Sequence, residues 1–360
     1  MRLVLDNIIF SLQHAGGASV VWAEHIQRLL NDTSIDISFI EYCGAENNVN
    51  RKNVFIPADM ISRESRRFIR IKRYLDINSN VKIPHIFHSS HYRIDLNSNA
   101  KNVTTVHDFV YERYMHGLQK KVHTYQKWKA IRKADVIICI SESTKMDLLN
   151  YLPDVDEKKI YIVYNGVNEV YKQIKEKDYL LELPFSTGEY ALYVGSRRVK
   201  YKNFETAVNI CKKTKTPLIT VGGEIFTEKE ISYLDEILGK GNYASYRNTT
   251  NRDLNELYNR ALVLLYPSLY EGFGIPVIEA QRSGCPVLCI ASSSIPEIAG
   301  ATDLCVKQNS RISEMCSRLD ELRSNSKFRL KEVQQGLLNS QRFSWDETFR
   351  QTIDVYKAIM

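Results

Sequence analysis

Short apolar runs of strand length alternate with helical stretches along the whole chain, and that rhythm leaves few folds open. LVLDNIIF (3–10) is followed by VVWAEHIQRLL (20–30), which has helical spacing. ISFIEYC (37–43), IPHIFHSS (83–90), VTTVHDF (103–109) and VIICIS (136–141) come next, with helical stretches such as YQKWKAIRKA between them, and YIVYNGVN (161–168) closes the series. A polar, lysine-rich segment, EVYKQIKEKDYLLELPFSTGE, then precedes a new strand, YALYVGS. The second half repeats the pattern: PLITVGG, a helix over 227–239, YASY, a helix over 251–260, VLLYPS, a helix from Pro276, PVLCI and a long helix after Ser310. Strand–helix alternation predicts an α/β chain with two parallel-sheet, Rossmann-like domains. The 360 residues suit two domains of roughly 150–180 each, with the boundary near 168–188. The last stretch, RFSWDETFRQTIDVYKAIM, is expected to be a helix capped by Ser344 with Asp346 and Glu347 in its first turn.

Several function classes drop out early. Runs such as VIICI and ALVLLY are far shorter than the ~20 apolar residues a membrane span needs. The apolar start is interrupted by Asp6 and reads as a first strand, not a signal peptide, so the chain is expected to be cytoplasmic. The seven cysteines form no C-x-x-C and are expected to be buried reduced thiols; the eight histidines form no H-x-x-H pair, so no metal is expected. Asp154 and Asp156 form a D-V-D in a polar turn and are read as structural. No G-x-G-x-x-G follows the first strand of either half, which argues against a nicotinamide or flavin enzyme.

The net charge of +7 is uneven. From Arg51 to Tyr74 there are eight basic residues against two acidic ones. In SRESRRFIRIKRYLD, Phe68, Ile71 and Leu75 recur at helical spacing, predicting a short basic amphipathic helix with Arg66, Arg67, Arg70 and Arg73 beside them. Such a helix either packs on its domain through the three apolar residues or docks on an anionic membrane surface or phosphorylated acceptor. No aromatic-interleaved basic motif accompanies it, so nucleic acid is not expected.

The chemistry concentrates in YPSLYEGFGIPVIEAQRSG (266–284). VLLYPS is a buried strand, and LYEGFG is the loop at its C-terminal end, where open α/β sheets bind ligands. Pro276 suits a first helical turn, so Gly272, Phe273, Gly274 and Ile275 lie where main-chain N–H groups attract an anion, phosphate above all. Glu279, one turn inside the helix, repels phosphate, but its two acceptor oxygens match a vicinal diol such as a ribose. Glu271 then faces the other end of the phosphates.

The string SLYEGFGIPVIEAQRSGCPVLCIASSSIPEIAG resembles the donor-site signature of the family-4 glycosyltransferases, with its pair of glutamates eight positions apart at Glu271 and Glu279. YVGSRRVKYKNF resembles the loop, following Gly195, whose basic residues bind the donor diphosphate; Arg197 and Lys202 are the matching positions, with Arg198 or Lys200 as substitutes in a slightly long loop. SLQHAGGASVVW resembles the glycine-rich first loop, with Gly16 and Gly17 near the phosphates. VTTVHDF carries the His107–Asp108 pair of the acceptor-facing domain, and SESTKMDL and YNGVN complete the set. Gly222, after PLITV, marks a tight turn or a nucleotide contact.

The resemblance implies a GT-B fold: two Rossmann-like domains with parallel sheets facing a central cleft. These would be an acceptor domain (1–170), a nucleotide-sugar domain (171–343) and a helix crossing back (344–360). It implies a retaining, metal-independent hexosyltransferase. Glu271, His107, Lys202 and Arg197 serve the reaction, and Glu279 with the glycines binds the donor. The nucleotide-sugar is a substrate, so no cofactor is implied. The wording of the signature favours mannosyl- or rhamnosyltransferases of O-antigen or capsule assembly. The donor is then first GDP-mannose, the acceptor is a polyprenyl-diphosphate-linked glycan, and the protein sits peripherally on the inner face of the cell membrane. A nucleotide-sugar epimerase of the same fold remains open, as does an inactive sugar-nucleotide-binding partner of an assembly complex; a phosphorylase would need a pyridoxal-phosphate lysine and a much longer chain, and neither is evident.

Overall fold

The computed structural model describes residues 1–308 and 312–360. It divides into two compact units, Met1–Gly166 with Trp345–Met360, and Val167–Ser344. In the first unit β1 (Arg2–Asp6), β2 (Asp36–Tyr42), β3 (Ile61–Glu64), β4 (His85–Ser89), β5 (Ala100–Val106), β6 (Val136–Cys139) and β7 (Ile160–Ile162) form one sheet. Their order is β3-β2-β1-β4-β5-β6-β7, and neighbours pair in parallel. The second unit holds β8 (Ala191–Val194), β9 (Leu218–Val221), β10 (Tyr243–Tyr246), β11 (Val263–Tyr266), β12 (Val287–Ala291) and β13 (Cys305–Lys307), ordered β10-β9-β8-β11-β12-β13 and again parallel.

Parallel strands are covered by helices on both faces, so their residues are apolar without alternation. VLLY in β11 and VIIC in β6 are buried at every position. In each sheet the order reverses beside the first strand, between β1 and β4 and between β8 and β11. A ligand crevice opens at such a reversal, outside the C-terminal ends of the strands. The strand order alone thus puts a crevice in each unit before any side chain is considered.

Helix boundaries follow local chemistry. Glu228–Leu238 and Asn251–Arg260 each start with a capping box, Thr227 with Glu230 and Thr250 with Asp253, which satisfies otherwise orphaned N–H groups. Ser310 lies outside the described residues; the expected long helix runs from Ile312 to Ser324, followed by Ser326–Ser340. The terminal helix, Trp345–Lys357, adds Ile353, Val355 and Tyr356 to the first unit's core, buries Trp345 as well, and packs on the helix Gly17–Leu30. Among the described residues no helix is long and apolar enough to cross a membrane.

Two expectations need correction. SRESRRFIRIKRYLD does not form an amphipathic helix; only Ile69–Lys72 is helical. Phe68 takes a left-handed backbone (φ 60°), which stops the helix from extending towards its N-terminus. A single turn crowded with cations is far below the ~12–15 residues at which an isolated helix becomes marginally stable. Nor do its apolar residues pack inward: Phe68, Ile71 and Leu75 are 61%, 59% and 55% exposed. Of the cysteines, all free, Cys139, Cys211, Cys285, Cys289 and Cys316 are buried, but Cys305 is only partly so and Cys43 is exposed. Asp154 pairs with Arg132 on the helix Gly117–Lys133, and Asp156 accepts from the Lys158 N–H and caps the short turn Glu157–Lys159.

Candidate active site

In the second unit the loops after β8 and β11 are stitched together. The Leu269 N–H donates to the Tyr201 carbonyl (2.7 Å), and Asn203 Nδ2 donates to the Pro267 carbonyl (3.1 Å). Between these fasteners Lys202 Nζ donates to both carboxylate oxygens of Glu271, at 2.7 and 2.8 Å. Lys202 ends a short 3₁₀ turn, and Asn203, in the left-handed region at φ 55°, turns the chain into the helix Phe204–Thr214. A cation and an anion from loops 69 positions apart in sequence are therefore held together at the reversal of the sheet.

The Glu271 loop is braced by the serine run after β12. Ser293 Oγ accepts from the Glu271 N–H (2.7 Å), and Ser294 Oγ lies 3.0 Å from the Glu271 carbonyl and 2.8 Å from that of Phe273. Gly274 ends the loop at φ 109° and starts the helix Ile275–Arg282; a Cβ there would meet Ile295 Cδ1 at 3.0 Å. Only glycine meets both demands. The Phe273 side chain points into the core, edge-on to Phe343 with ring centroids 5.7 Å apart, so what it offers a ligand is main chain. Ile275 is half-buried at the helix start.

Arg197 departs from the expected phosphate-facing cation. Its guanidinium turns inward: Nη1 donates to the Gly222 carbonyl (2.9 Å), Nη2 donates to the Glu224 carbonyl, and the group lies 4.2 Å from the centre of the Phe226 ring. It braces the β8 loop against the turn after β9, where Gly222 and Gly223 have φ of 84° and 74°. Arg198 pairs with Glu224 and Glu230, while Lys200 is exposed. Gly195, at φ 144°, leaves open space where a Cβ would stand. The cation placed beside Glu271 is thus Lys202.

Glu279 sits one turn inside the helix, partly open to water, with Tyr258 Oη donating to its Oε2 at 3.1 Å. Burial raises its carboxyl to about 7, against the pull of the Tyr258 and Tyr171 hydroxyls. A carboxyl in that position exchanges its proton near neutral pH and offers two acceptors when ionised.

In the first unit the helix Gly17–Leu30 opens at Gly16–Gly17; a Cβ on Gly17 would meet nothing, whereas one on Gly16 would strike Gln13. His107 follows β5 at the same sheet edge and lines an apolar pocket with Trp22, His25, His88, Thr105 and Phe349. Burial, and then Lys127, lower the His107 pKa against the pull of Asp108, keeping the ring neutral. The Tyr356 hydroxyl bridges His25 Nε2 (2.9 Å) and His88 Nδ1 (2.6 Å), and His88 Nε2 reaches Thr105 Oγ1 (2.9 Å). Behind the loop the wholly buried Lys127 Nζ donates to the Asp108 carbonyl (2.5 Å) and to Glu112 Oε2 (2.9 Å). Arg66, Arg67, Arg70 and Arg73 lie in the strap 65–75 of this unit.

Two family models match the chain, Glycosyltransferase Family 4 over residues 15–170 and Glycosyl transferases group 1 over residues 181–336. The chain is a family-4 glycosyltransferase. It is 30% identical over 177 residues to O-antigen chain mannosyltransferase B of Escherichia coli, a match that covers 47% of this chain and 46% of that protein. The matched segment is thus less than half the length of that curated relative. Among solved structures, sucrose-phosphate synthase from Thermosynechococcus elongatus matches with TM-score 0.74 at 14% identity, covering 100% of this chain and 99% of the other. HepE from Anabaena, in complex with UDP and glucose, matches with TM-score 0.72 at 12% identity, covering 99% and 100%. The glycosyltransferase therefore has the GT-B fold. Sequence reasoning missed the Tyr171–Tyr258 enclosure of Glu279, the serine brace and Lys127. The string SSS at the end of β12 was a visible signal for the brace. The other two lie far from any motif.

Proposed function

We propose that this glycosyltransferase transfers a hexose, with retention, from a nucleoside-diphosphate sugar to a lipid-linked glycan of a bacterial surface polysaccharide, with GDP-mannose the first donor to try. The observation that carries the donor half is the doubly bonded Lys202–Glu271 pair at the sheet reversal, with Glu279 one helical turn beyond a glycine-ended loop. On this reading the ribose hydroxyls donate to Glu279. The diphosphate lies along the Gly272–Gly274 main chain and takes Lys202 from Glu271 as it enters. Arg197 holds the shape of the Gly195 loop from behind. Negative charge grows on the leaving phosphate as the glycosidic C–O bond breaks, so a fixed cation and N–H groups lower the barrier more than they tighten ground-state binding. The acceptor hydroxyl forms the new C–O bond on the face the phosphate leaves and gives its proton to a phosphate oxygen. Glu271, freed of Lys202, faces the transferred sugar, and neutral His107 accepts from or donates to the acceptor hydroxyls.

The mannosyl choice is supported by the Escherichia coli O-antigen relative. The lipid-linked acceptor is supported by the strap 65–75, whose exposed Phe68, Ile71 and Leu75 stand among arginines, a composition suited to an anionic bilayer surface. Glu271→Gln tests the reading: transfer from the donor should fall by about 10²-fold or more, with nucleotide affinity unchanged within a few-fold. Near-normal turnover in that variant would refute the assignment.

A further inference from the structure

Arg63, Arg66, Arg67, Arg70 and Arg73 have no carboxylate partner among the described residues; the flanking acids Glu64 and Asp76 are taken by Lys72 and Lys129. Arg73 differs from the other four in what it touches. Its Nη2 lies 2.8 Å from His91 Nε2. A guanidinium has no lone pair to offer, so Arg73 donates and His91 Nε2 accepts. The proton of the neutral His91 ring is then on Nδ1. His91 Nδ1 is buried without a partner, and so is Arg73 Nε. Two N–H donors, on side chains already bonded to each other, thus lack an acceptor, an arrangement native proteins rarely leave unfilled.

His91 itself feels no carboxylate, although Asp108 acts on the neighbouring His123 and Asp6 and Asp76 on Arg93. Burial first, then Arg73, His123, Arg93 and His107, lower the His91 pKa, and no acid counters them. Of the two arginines acting on His91, Arg93 is paired with Asp6, and Arg73 has no carboxylate partner among the described residues. His91 follows β4 and His107 follows β5, strands paired in register through Ser89 and Thr104, so both residues sit at the ligand-binding edge of the first sheet.

We propose that Arg73 and His91 form an anion site that takes a phosphate oxygen of the acceptor at the sheet edge that carries His107. Both residues are partly open to solvent, so an entering anion can reach the Arg73 guanidinium, which the bond from Nη2 to His91 Nε2 holds in place. Arg66, Arg67 and Arg70 draw the anion in by long-range attraction. That the phosphate belongs to a lipid-linked acceptor rests on the function proposed above; the chemistry of the site suits a free phosphate equally.

The test uses the full chain with GDP at saturation, so that the second unit's phosphate site is filled. Inorganic pyrophosphate is titrated by calorimetry into the wild type, Arg73→Gln, His91→Phe and Arg67→Gln. Arg73→Gln and His91→Phe should each weaken binding by about tenfold or more, and Arg67→Gln by less than about threefold. Unchanged GDP affinity shows that the variants are folded. Vesicles doped with a polyprenyl diphosphate identify the source: if their capture also falls in Arg73→Gln the ligand is the lipid headgroup, and if only pyrophosphate binding falls it is the free anion. Absence of pyrophosphate binding to the wild type, or equal losses in Arg67→Gln and Arg73→Gln, would overturn the site. Loss of GDP binding with pyrophosphate binding intact would sink the donor reading and leave this site standing.

Discussion

Replacing Glu279 by Gln should make the protein more stable and a poorer binder of nucleotide, with both effects governed by pH. The carboxyl titrates at about 7 in the folded chain against 4.5 for an ordinary glutamate. At 1.36 kcal/mol per unit, holding it ionised in the fold costs at most about 3 kcal/mol. The group is partly open, so screening by water reduces the figure to about 1–2 kcal/mol. The sign follows from which state binds the proton more tightly. Below pH 4.5 both states are protonated and there is no cost. Between 4.5 and 7 the unfolded chain ionises first and folding weakens, and above 7 the cost is complete. Glu279→Gln keeps an acceptor for the Tyr258 hydroxyl but carries no charge. Its melting temperature should exceed the wild type's by about 2–8 °C at pH 8, and the gap should close towards pH 4.5. Calorimetric melts across that range measure it. Nucleotide affinity should fall by about ten- to a hundredfold at pH 8 with loss of the charge-assisted bonds. The wild type's affinity should itself decline as pH drops through 7, while the variant's stays flat. A stability gap independent of pH would show that Glu279 is not held up by burial and would refute the reasoning.

Four further outcomes follow from the same geometry. On the proposed reading, in which Lys202 meets the leaving phosphate, Lys202→Met should lower sugar-transfer kcat by about 10²–10³-fold in a steady-state assay. Gly274→Ala should cost about 1–3 kcal/mol in denaturant unfolding, since alanine strains at φ 109° and presses on Ile295. Lys127→Met should destabilise the first unit by about 3–5 kcal/mol by stranding Glu112, whereas Lys127→Met with Glu112→Leu should regain most of that loss. Phe68→Ser with Leu75→Ser should reduce sedimentation with anionic vesicles, and added salt should weaken the remainder.

The architecture was legible because parallel strands declare themselves. VLLY, VIIC and LITV are buried at every position, and no helix of that length needs such a run. The glycines at the strand ends then locate the turns. What the sequence hid is mostly the direction a long side chain takes. Arg197 and Lys202 look alike as loop cations, yet the carbonyls of Gly222 and Glu224 capture the first and the Glu271 carboxylate the second. The strap 65–75 has helical spacing, but spacing is silent about Phe68 adopting a left-handed backbone. Tyr171 and Tyr258 come from separate segments to reach Glu279, a closeness that exists only once the second sheet has formed.

The terminal helix has a consequence for the order of synthesis. Tyr356 lies between His25 and His88, and Ile353 and Val355 belong to the same core as β1 and β4. The first sheet's strands have all been made by Gly166, yet the group that closes their histidine cluster emerges some 190 residues later. At 5–20 residues per second that interval is about 10–40 s. Throughout it the nascent first unit presents Trp22 and its neighbours with an apolar groove uncovered, while the second unit, continuous in sequence, can complete its own core. The strands of the first unit are therefore in place well before the helix that completes their core, and the apolar surface that helix covers waits for it.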